Sequence, residues 1–226
     1  MLADLKKFYK KHGRGHLPWR ATHDPYKILV SEVMLQQTQV ERVVPYYIKW
    51  IKKYPTAKKL AAAKLADVLR EWQGLGYNRR AKYLRDAAKI IAKSGWTSDK
   101  LPGVGPYTRA AVEAFAFNKP TVFIETNIRT VFFHHYKLSR VVLDTELLPL
   151  VGEALKKSKM QPREFYAALM DYGSYLKKSG VRLNVRSKHY TKQSKFEGST
   201  RQARAKKLRQ LLARGASEKS LLKILK

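Results

Sequence analysis

Two acidic side chains stand in surroundings that would change their chemistry. Glu32 lies in the run Tyr26-Lys27-Ile28-Leu29-Val30-Ser31-Glu32-Val33-Met34-Leu35-Gln36-Gln37, and no other acid occurs between Asp24 and Glu41. Ile28, Leu29, Leu35 and Gln36 are three or four residues away, so on a helix Glu32 has apolar neighbours on its own face. Taking a carboxyl out of water disfavours its charged form; such a group would titrate upward and could hold a proton at neutral pH. The alternative is a glutamate at a helix edge with its head in water. The second acid, Glu125, is wedged between Phe123-Ile124 and Ile128, where burial without a partner is unfavourable. It precedes a helical pattern and could cap it, but Thr126 or Asn127 is the better capping type, so capping alone does not account for an acid here.

Between these acids lies Leu101-Pro102-Gly103-Val104-Gly105-Pro106-Tyr107-Thr108. Two glycines spaced by one residue, with a proline on each side, predict a tight turn between helices. Gly103 and Gly105 admit positive φ and leave room for another molecule to approach. Amides at the start of the following helix form a concave anion site. Such a turn is weak evidence by itself. In a chain with 47 Lys and Arg against 17 Asp and Glu, net +30, a hairpin that grasps a nucleic-acid phosphate is the favoured reading. A second break, Gln73-Gly74-Leu75-Gly76-Tyr77-Asn78-Arg79-Arg80, sets an aromatic beside glycines and arginines. That grouping suits stacking of Tyr77 on a base, with Arg79 and Arg80 on phosphates. Its bland version is a helix–helix turn whose tyrosine packs on the core.

The elements that would position these residues are nearly all helical. Helical spacing runs from Leu2 to Lys11, and Gly13 and Gly15 end it. His16-Leu17-Pro18-Trp19-Arg20 reads as an extended, anchored segment. Asp24-Pro25 caps and opens the helix of Glu32. Further helices are expected through Val40–Ile51 with Thr38 or a neighbour as cap, Ala57–Trp72, Ala81–Ala92, Ala110–Phe117, Leu147–Leu155 and Phe165–Leu176. Thr121–Ile124 looks like a buried extended run. Lys177 to Lys195 is a basic connector. After it, Leu208, Leu211 and Leu212 would face Leu221, Leu222 and Leu225 in a small helical hairpin.

A chain of 226 residues can bury a substantial core in one domain or two closely packed ones. Its charge excess points to a polyanion as partner. No run of about 18 apolar residues and no signal-peptide pattern occurs, so neither a membrane nor export is expected. With no cysteine, disulfides, thiolate metal sites and cysteine nucleophiles are excluded. The six histidines are scattered and suggest no zinc site. The absence of disulfides fits a reducing cytoplasm.

Taken together, Leu17-Pro18-Trp19-Arg20, Pro25-Tyr26, Ser31-Glu32-Val33-Met34-Leu35-Gln36-Gln37-Thr38-Gln39-Val40, Gly74-Leu75-Gly76-Tyr77 and Leu101 to Thr108 resemble, in that order, the MutY-type adenine DNA glycosylases. These belong to the helix-hairpin-helix superfamily that includes endonuclease III, and the likeness runs from about Phe8 to Gly173. It implies an all-α fold of two helical domains with the active site in the cleft between them. Residues 25–124 would form a helical barrel carrying the hairpin, residues 1–24 plus 125–195 the second domain, and residues 196–226 a basic helical extension. It also implies removal of adenine mispaired with 8-oxoguanine or guanine, after the adenine is flipped from double-stranded DNA.

The same resemblance distributes roles. Glu32 falls on the catalytic acid that protonates the departing adenine at N7. Glu125 falls on the second carboxylate, Tyr107 on a pocket tyrosine, and Asn127 on the asparagine of an Asp-Gly-Asn or Asp-Thr-Asn pattern. Gln37 and Tyr77 match residues wedged into the base stack, with Gln36 beside them. Gly103, Val104, Gly105 and Thr108 would hold DNA, and the backbone at Leu101 and Val104 a K+ or Na+ ion. Cleaving an N-glycosidic bond puts positive charge on the sugar and negative charge on the base. One protonated carboxyl and one carboxylate divide that work, as in glycoside hydrolases.

Three departures stand out. The family's second carboxylate is Asp, and here it is Glu125. The family usually carries four cysteines for an iron–sulfur cluster after its Asp-x-Gly segment; Asp171-Tyr172-Gly173 is present, but Lys177 stands near the first cysteine's place. The stretch after Gly180 is too short for the large C-terminal domain with which many members recognise 8-oxoguanine. The expectation is a cytoplasmic, nucleoid-associated, monomeric and monofunctional glycosylase without an iron–sulfur cluster. A thymine or uracil glycosylase acting opposite guanine, or a DNA-lesion-binding protein with impaired catalysis, are the alternatives. Tyr107 where bifunctional relatives place a nucleophilic lysine argues against lyase activity.

Overall fold

The computed structural model describes residues 1–97, 100–137, 141–188, 190 and 195–225; part of the expected basic connector, residues 189 and 191–194, lies outside them. Among these residues the regular structure is helical, and the extended pairing found is the isolated bridge between Val142 and Ser187. The helices are α1 (Leu2–His12), α2 (Pro25–Leu35), α3 (Val40–Lys53), α4 (Ala57–Ala62), α5 (Leu65–Trp72), α6 (Arg79–Ser94), α7 (Pro106–Phe117), α8 (Thr126–Tyr136), α9 (Asp144–Ser158), α10 (Pro162–Lys178), α11 (Thr200–Ala213) and α12 (Glu218–Ile224). None of them is long and apolar enough to cross a membrane.

The chain folds as two compact units, Met1–His23 with Pro106–Lys192, and Asp24–Gly105 with Gln193–Lys226. The expected boundary after Ile124 is thereby moved into the hairpin. Helix α7 joins the first unit because the segment after it folds back onto it: Thr121 Oγ1 donates to the Ala110 carbonyl, and Tyr166 Oη donates to the Thr121 carbonyl. Nor is the C-terminal extension a body of its own. Leu208, Leu212, Leu221 and Leu225 are buried, and arginines of α5 and α6 hold it: Arg70 and Arg79 donate to the Leu212 and Leu225 carbonyls, and the buried Arg85 pairs with Glu218 at 2.6 Å.

In the second unit α2 is the central helix. Asp24 accepts from the Tyr26 amide at 2.9 Å, Pro25 takes the first helical position, and every residue from Ile28 to Met34 is buried. A helix apolar on all sides belongs in the middle of a unit, here packed by α3 and α6. The expected single helix over Ala57–Trp72 is divided, with Ala63 and Lys64 in extended backbone between α4 and α5; no glycine or proline marks that break. The Leu17–Arg20 segment is anchored by the buried Leu17 and Trp19, but as a 3-10 turn rather than an extended run.

In the first unit α10 packs against α8, α1 and α7. Buried Asp171 receives the Arg14 amide at 2.8 Å, the Arg14 guanidinium, and Arg20 Nη2 at 3.3 Å, which fastens the N-terminal segment to α10. Two residues on, a Cβ added to Gly173 would lie 2.2 Å from the Asn127 carbonyl oxygen. Gly173 is therefore the point where α10 and the start of α8 touch backbone to side-chain-free backbone. Gly173→Ala is expected to push them apart at a cost of roughly 1–3 kcal/mol, read as a lower midpoint in chemical denaturation. An unchanged midpoint would show that the contact relaxes freely.

Candidate functional site

Glu32 sits in the middle of the buried helix α2 and is 7% exposed. The reading of a helix-edge glutamate with its head in water is thus set aside. The helix ends at Leu35, and Gln37 follows in the left-handed region at φ 56°. Tyr77, in the second glycine break, is likewise left-handed at φ 45°. Side chains other than glycine take that conformation rarely and at an energetic cost, mostly where surrounding structure imposes it. Both residues are exposed.

What imposes it is Arg80. Its Nη1 donates to the carbonyls of Val33 (2.7 Å), Met34 (3.2 Å) and Gln36 (2.7 Å), and its Nη2 to those of Leu75 (3.0 Å) and Gly76 (3.1 Å). The guanidinium also lies over the rings of Trp72 and Tyr77, at 5.4 and 5.5 Å. The last carbonyls of a helix have no partner within it, and here one side chain satisfies them while binding the adjacent loop. Burial draws the Arg80 pKa down to about 10. The expected phosphate contact by Arg80 is thereby corrected: its fork is turned inward onto backbone. Arg79 too is engaged, its Nε donating to the Leu225 carbonyl at 2.6 Å.

At the hairpin, the Val104 amide closes a turn on the Leu101 carbonyl at 3.1 Å. Gly103 has φ +72°, and a Cβ there would meet the Tyr83 side chain at 2.7 Å, so two constraints select glycine. Gly105 departs from expectation: its φ is not positive, but no atom lies within 4 Å of where its Cβ would be, which leaves open space. Gly103 and Gly105 are both exposed, whereas Thr108 is 3% exposed, so its hydroxyl lies inside the protein and the expected DNA contact by that side chain is withdrawn. Tyr107 is half-buried, edge-on to Phe123 at 5.6 Å within its own unit.

Glu125 begins α8, and it is the cap after all. Its Oε1 accepts from the amides of Asn127 (2.8 Å) and Ile128 (3.0 Å); its Oε2 accepts from Asn127 Nδ2 and Thr126 Oγ1, both at 3.1 Å. Preference tables favour Thr126 or Asn127 because their side chains are short, yet the longer glutamate reaches the same amides from an extended backbone (φ −142°). Four donors around two oxygens is the pattern that an acceptor-only carboxylate takes. The Oδ1 of Asn127 is buried without a hydrogen-bond partner. Glu125→Ala is expected to lower stability by about 1 kcal/mol through the lost cap, while Glu125→Asp, itself a good capping residue, is expected to keep it; thermal denaturation of the two variants checks both.

The sequence reading made Lys177 the first residue of an exposed basic connector and the stand-in for a missing cysteine, whereas it belongs to helix α10. In the structure it lies at the end of α10 in the field of Glu125: burial lowers its pKa and the Glu125 charge opposes that drop, with Arg14 and Arg182 adding to it. The pattern offered no signal for this proximity, since the two stand 52 positions apart in the chain.

Residues 30–147 match the family described as the HhH-GPD superfamily base excision DNA repair protein. The chain is 40% identical over 173 residues to the adenine DNA glycosylase of Mycolicibacterium smegmatis, covering 72% of this chain and 59% of that one. To the adenine DNA glycosylase of Buchnera aphidicola subsp. Baizongia pistaciae it is 33% identical over 189 residues, covering 79% and 53%. The chain thus spans little more than half the length of these relatives. A thermostable thymine-DNA glycosylase shares the fold with a TM-score of 0.63 and 26% identity, over 76% of this chain and 84% of that one. With the hairpin, the buried Glu32 and the capping Glu125 all inside the matched region, the chain belongs to the HhH-GPD superfamily of base excision DNA repair proteins.

Proposed function

We propose that the chain is a monofunctional DNA glycosylase that removes adenine mispaired with 8-oxoguanine or guanine. The observation that carries this reading is Glu32, a carboxyl 7% exposed at the centre of an apolar helix, in a chain similar to proteins named adenine DNA glycosylase. In the reaction the bond from the sugar C1′ to the base breaks and its electron pair leaves with adenine. Glu32 supplies the proton that adenine needs at N7. Water adds its oxygen to C1′, and the proton it loses restores the balance. Glu125, its two oxygens facing four donors, opposes the positive charge that builds on the sugar. The unpartnered Asn127 Oδ1 beside it offers an acceptor for the incoming water.

DNA is held by the hairpin amides and by Gln36, Gln37 and Tyr77, with the protein acting as a monomer on double-stranded DNA in the cytoplasm. A K+ or Na+ ion at the carbonyls of Leu101 and Val104 would add a positive charge beside a phosphate. An iron–sulfur cluster does not fit these residues: the sequence has no cysteine to supply a thiolate, and no step passes through one.

Single-turnover cleavage of duplexes with adenine, thymine or uracil opposite guanine or 8-oxoguanine tests the reading. Adenine release, with nicking only after alkali, is the expected result. Release of thymine or uracil without adenine would replace it by the second reading, a mismatch thymine or uracil glycosylase, which the likeness to the thymine-DNA glycosylase favours. Tight duplex binding with no base released would leave a lesion-binding protein.

A further inference from the structure

The unit that contains α2 and the C-terminal extension holds a cavity of about 550 Å3, every lining residue of which belongs to that unit. Its floor is apolar, built from Leu29, Val33, Leu84, Ala87 and Leu208. Gln36, Gln37, Tyr77 and Tyr83 form one side, Gly103 and Val104 of the hairpin close another, and Arg201 and Arg204 of α11 stand across from them. No carboxylate lines it.

That lining selects a class of occupant. The volume lies within the roughly 300–1,000 Å3 of small-molecule sites. An apolar floor with two tyrosines takes a flat ring. Amides and guanidiniums at the edge call for acceptor atoms, and the absence of any carboxylate excludes a cationic ligand. A neutral heteroaromatic ring rich in acceptors, delivered on a polyanion to a chain of net charge +30, is a nucleobase of DNA.

Which base it is follows from α2. Leu29 and Val33 of α2, and Gln36 just past its end, line the cavity, whereas Glu32 does not. A base in this cavity is therefore not the one that Glu32 protonates. We propose that it is the partner base, the one left in the opposite strand, and that α11 reads it. This rests on the glycosylase reading above. Arg204, exposed at the cavity, is the reading residue: a guanidinium fork matches the O6 and N7 acceptors of guanine, and one arm of it reaches O6 or O8 of 8-oxoguanine, whose N7 carries a hydrogen. Arg201 is a positioning residue. Its Nη1 donates to Tyr77 Oη at 2.8 Å and its guanidinium lies 5.3 Å from that ring, so Tyr77 is in contact with both Arg201 and Arg80. The extension thus fixes the aromatic wall of the site as well as supplying its donor.

Two measurements on the full chain test this. The first is equilibrium binding to duplexes carrying a non-cleavable abasic analogue opposite 8-oxoguanine, guanine or cytosine; the second is single-turnover adenine release opposite the same three bases. Wild type is expected to favour the two guanine-type partners over cytosine in both. Arg204→Ala is expected to shrink that preference about tenfold, and Arg204→Lys, which keeps the charge but not the fork, to leave it shrunken. Restoration of the preference by lysine would show a phosphate contact and overturn the proposal. So would adenine release and binding that rank the partners identically in wild type and Arg204→Ala. A wild type that shows the binding preference and loses it in Arg204→Ala, yet releases no adenine, would sustain the partner-base site and reject the adenine reading instead.

Discussion

Replacing Glu32 with glutamine is expected to abolish base release while duplex binding persists. The substitution keeps the volume and planar shape of the side chain, so α2, buried along nearly its whole length, has no cavity or overpacking to accommodate. On the proposed mechanism, what it removes is the transferable proton. Adenine leaves poorly as an anion, and general acid assistance contributes on the order of 10²–10⁴ in rate. A loss of at least that size in single-turnover release, with unchanged affinity for a mismatched duplex, is the expected pair of results. A variant that cleaves at the wild-type rate would take Glu32 out of the mechanism.

The largest stability effect is expected at a residue that does no chemistry. Arg80→Ala removes five donated hydrogen bonds to backbone carbonyls and both ring contacts. Each acceptor left buried without a donor costs about 1–3 kcal/mol, but water will enter and the terms do not add, so roughly 3–5 kcal/mol in total is expected in chemical denaturation. Lysine cannot rescue it, because an ammonium on a flexible stem does not span two sets of carbonyls as a planar fork does. Function is expected to fall in parallel, since Gln37 and Tyr77 flank the carbonyls that Arg80 gathers. A change below about 0.5 kcal/mol, the size of an ordinary surface substitution, would show that helix α2 and the loop hold each other without it.

The sequence made the helices and the candidate acids legible because both depend on local pattern. Asp24-Pro25 before an apolar run specifies the start of α2, and an acid inside that run is conspicuous by type. The hairpin glycines were legible in the same way, though only Gly103 uses positive φ. What escaped depends on partners distant in sequence. Arg80 and Arg79 look alike beside a glycine loop, yet one is turned toward the end of α2, over forty residues earlier, and the other toward Leu225. Glu125 was misjudged for a different reason. Capping preferences are averages over short side chains, and they do not register that a longer one can bend back from extended backbone. The unit boundary was misplaced because the fold-back of residues 118–125 onto α7 is made by single hydrogen bonds, such as Tyr166 to Thr121, that no periodicity announces.

The capping role of Glu125 also provides a clock. The amide hydrogens of Asn127 and Ile128 are bonded to Oε1 of the carboxylate that the proposed mechanism sets against the sugar. They become available to solvent when the carboxylate swings away and the first turn of α8 opens. Their rate of exchange with deuterium, residue by residue, therefore reports how often the resting protein lets this carboxylate leave its place, before any DNA is added and without any measurement of catalysis.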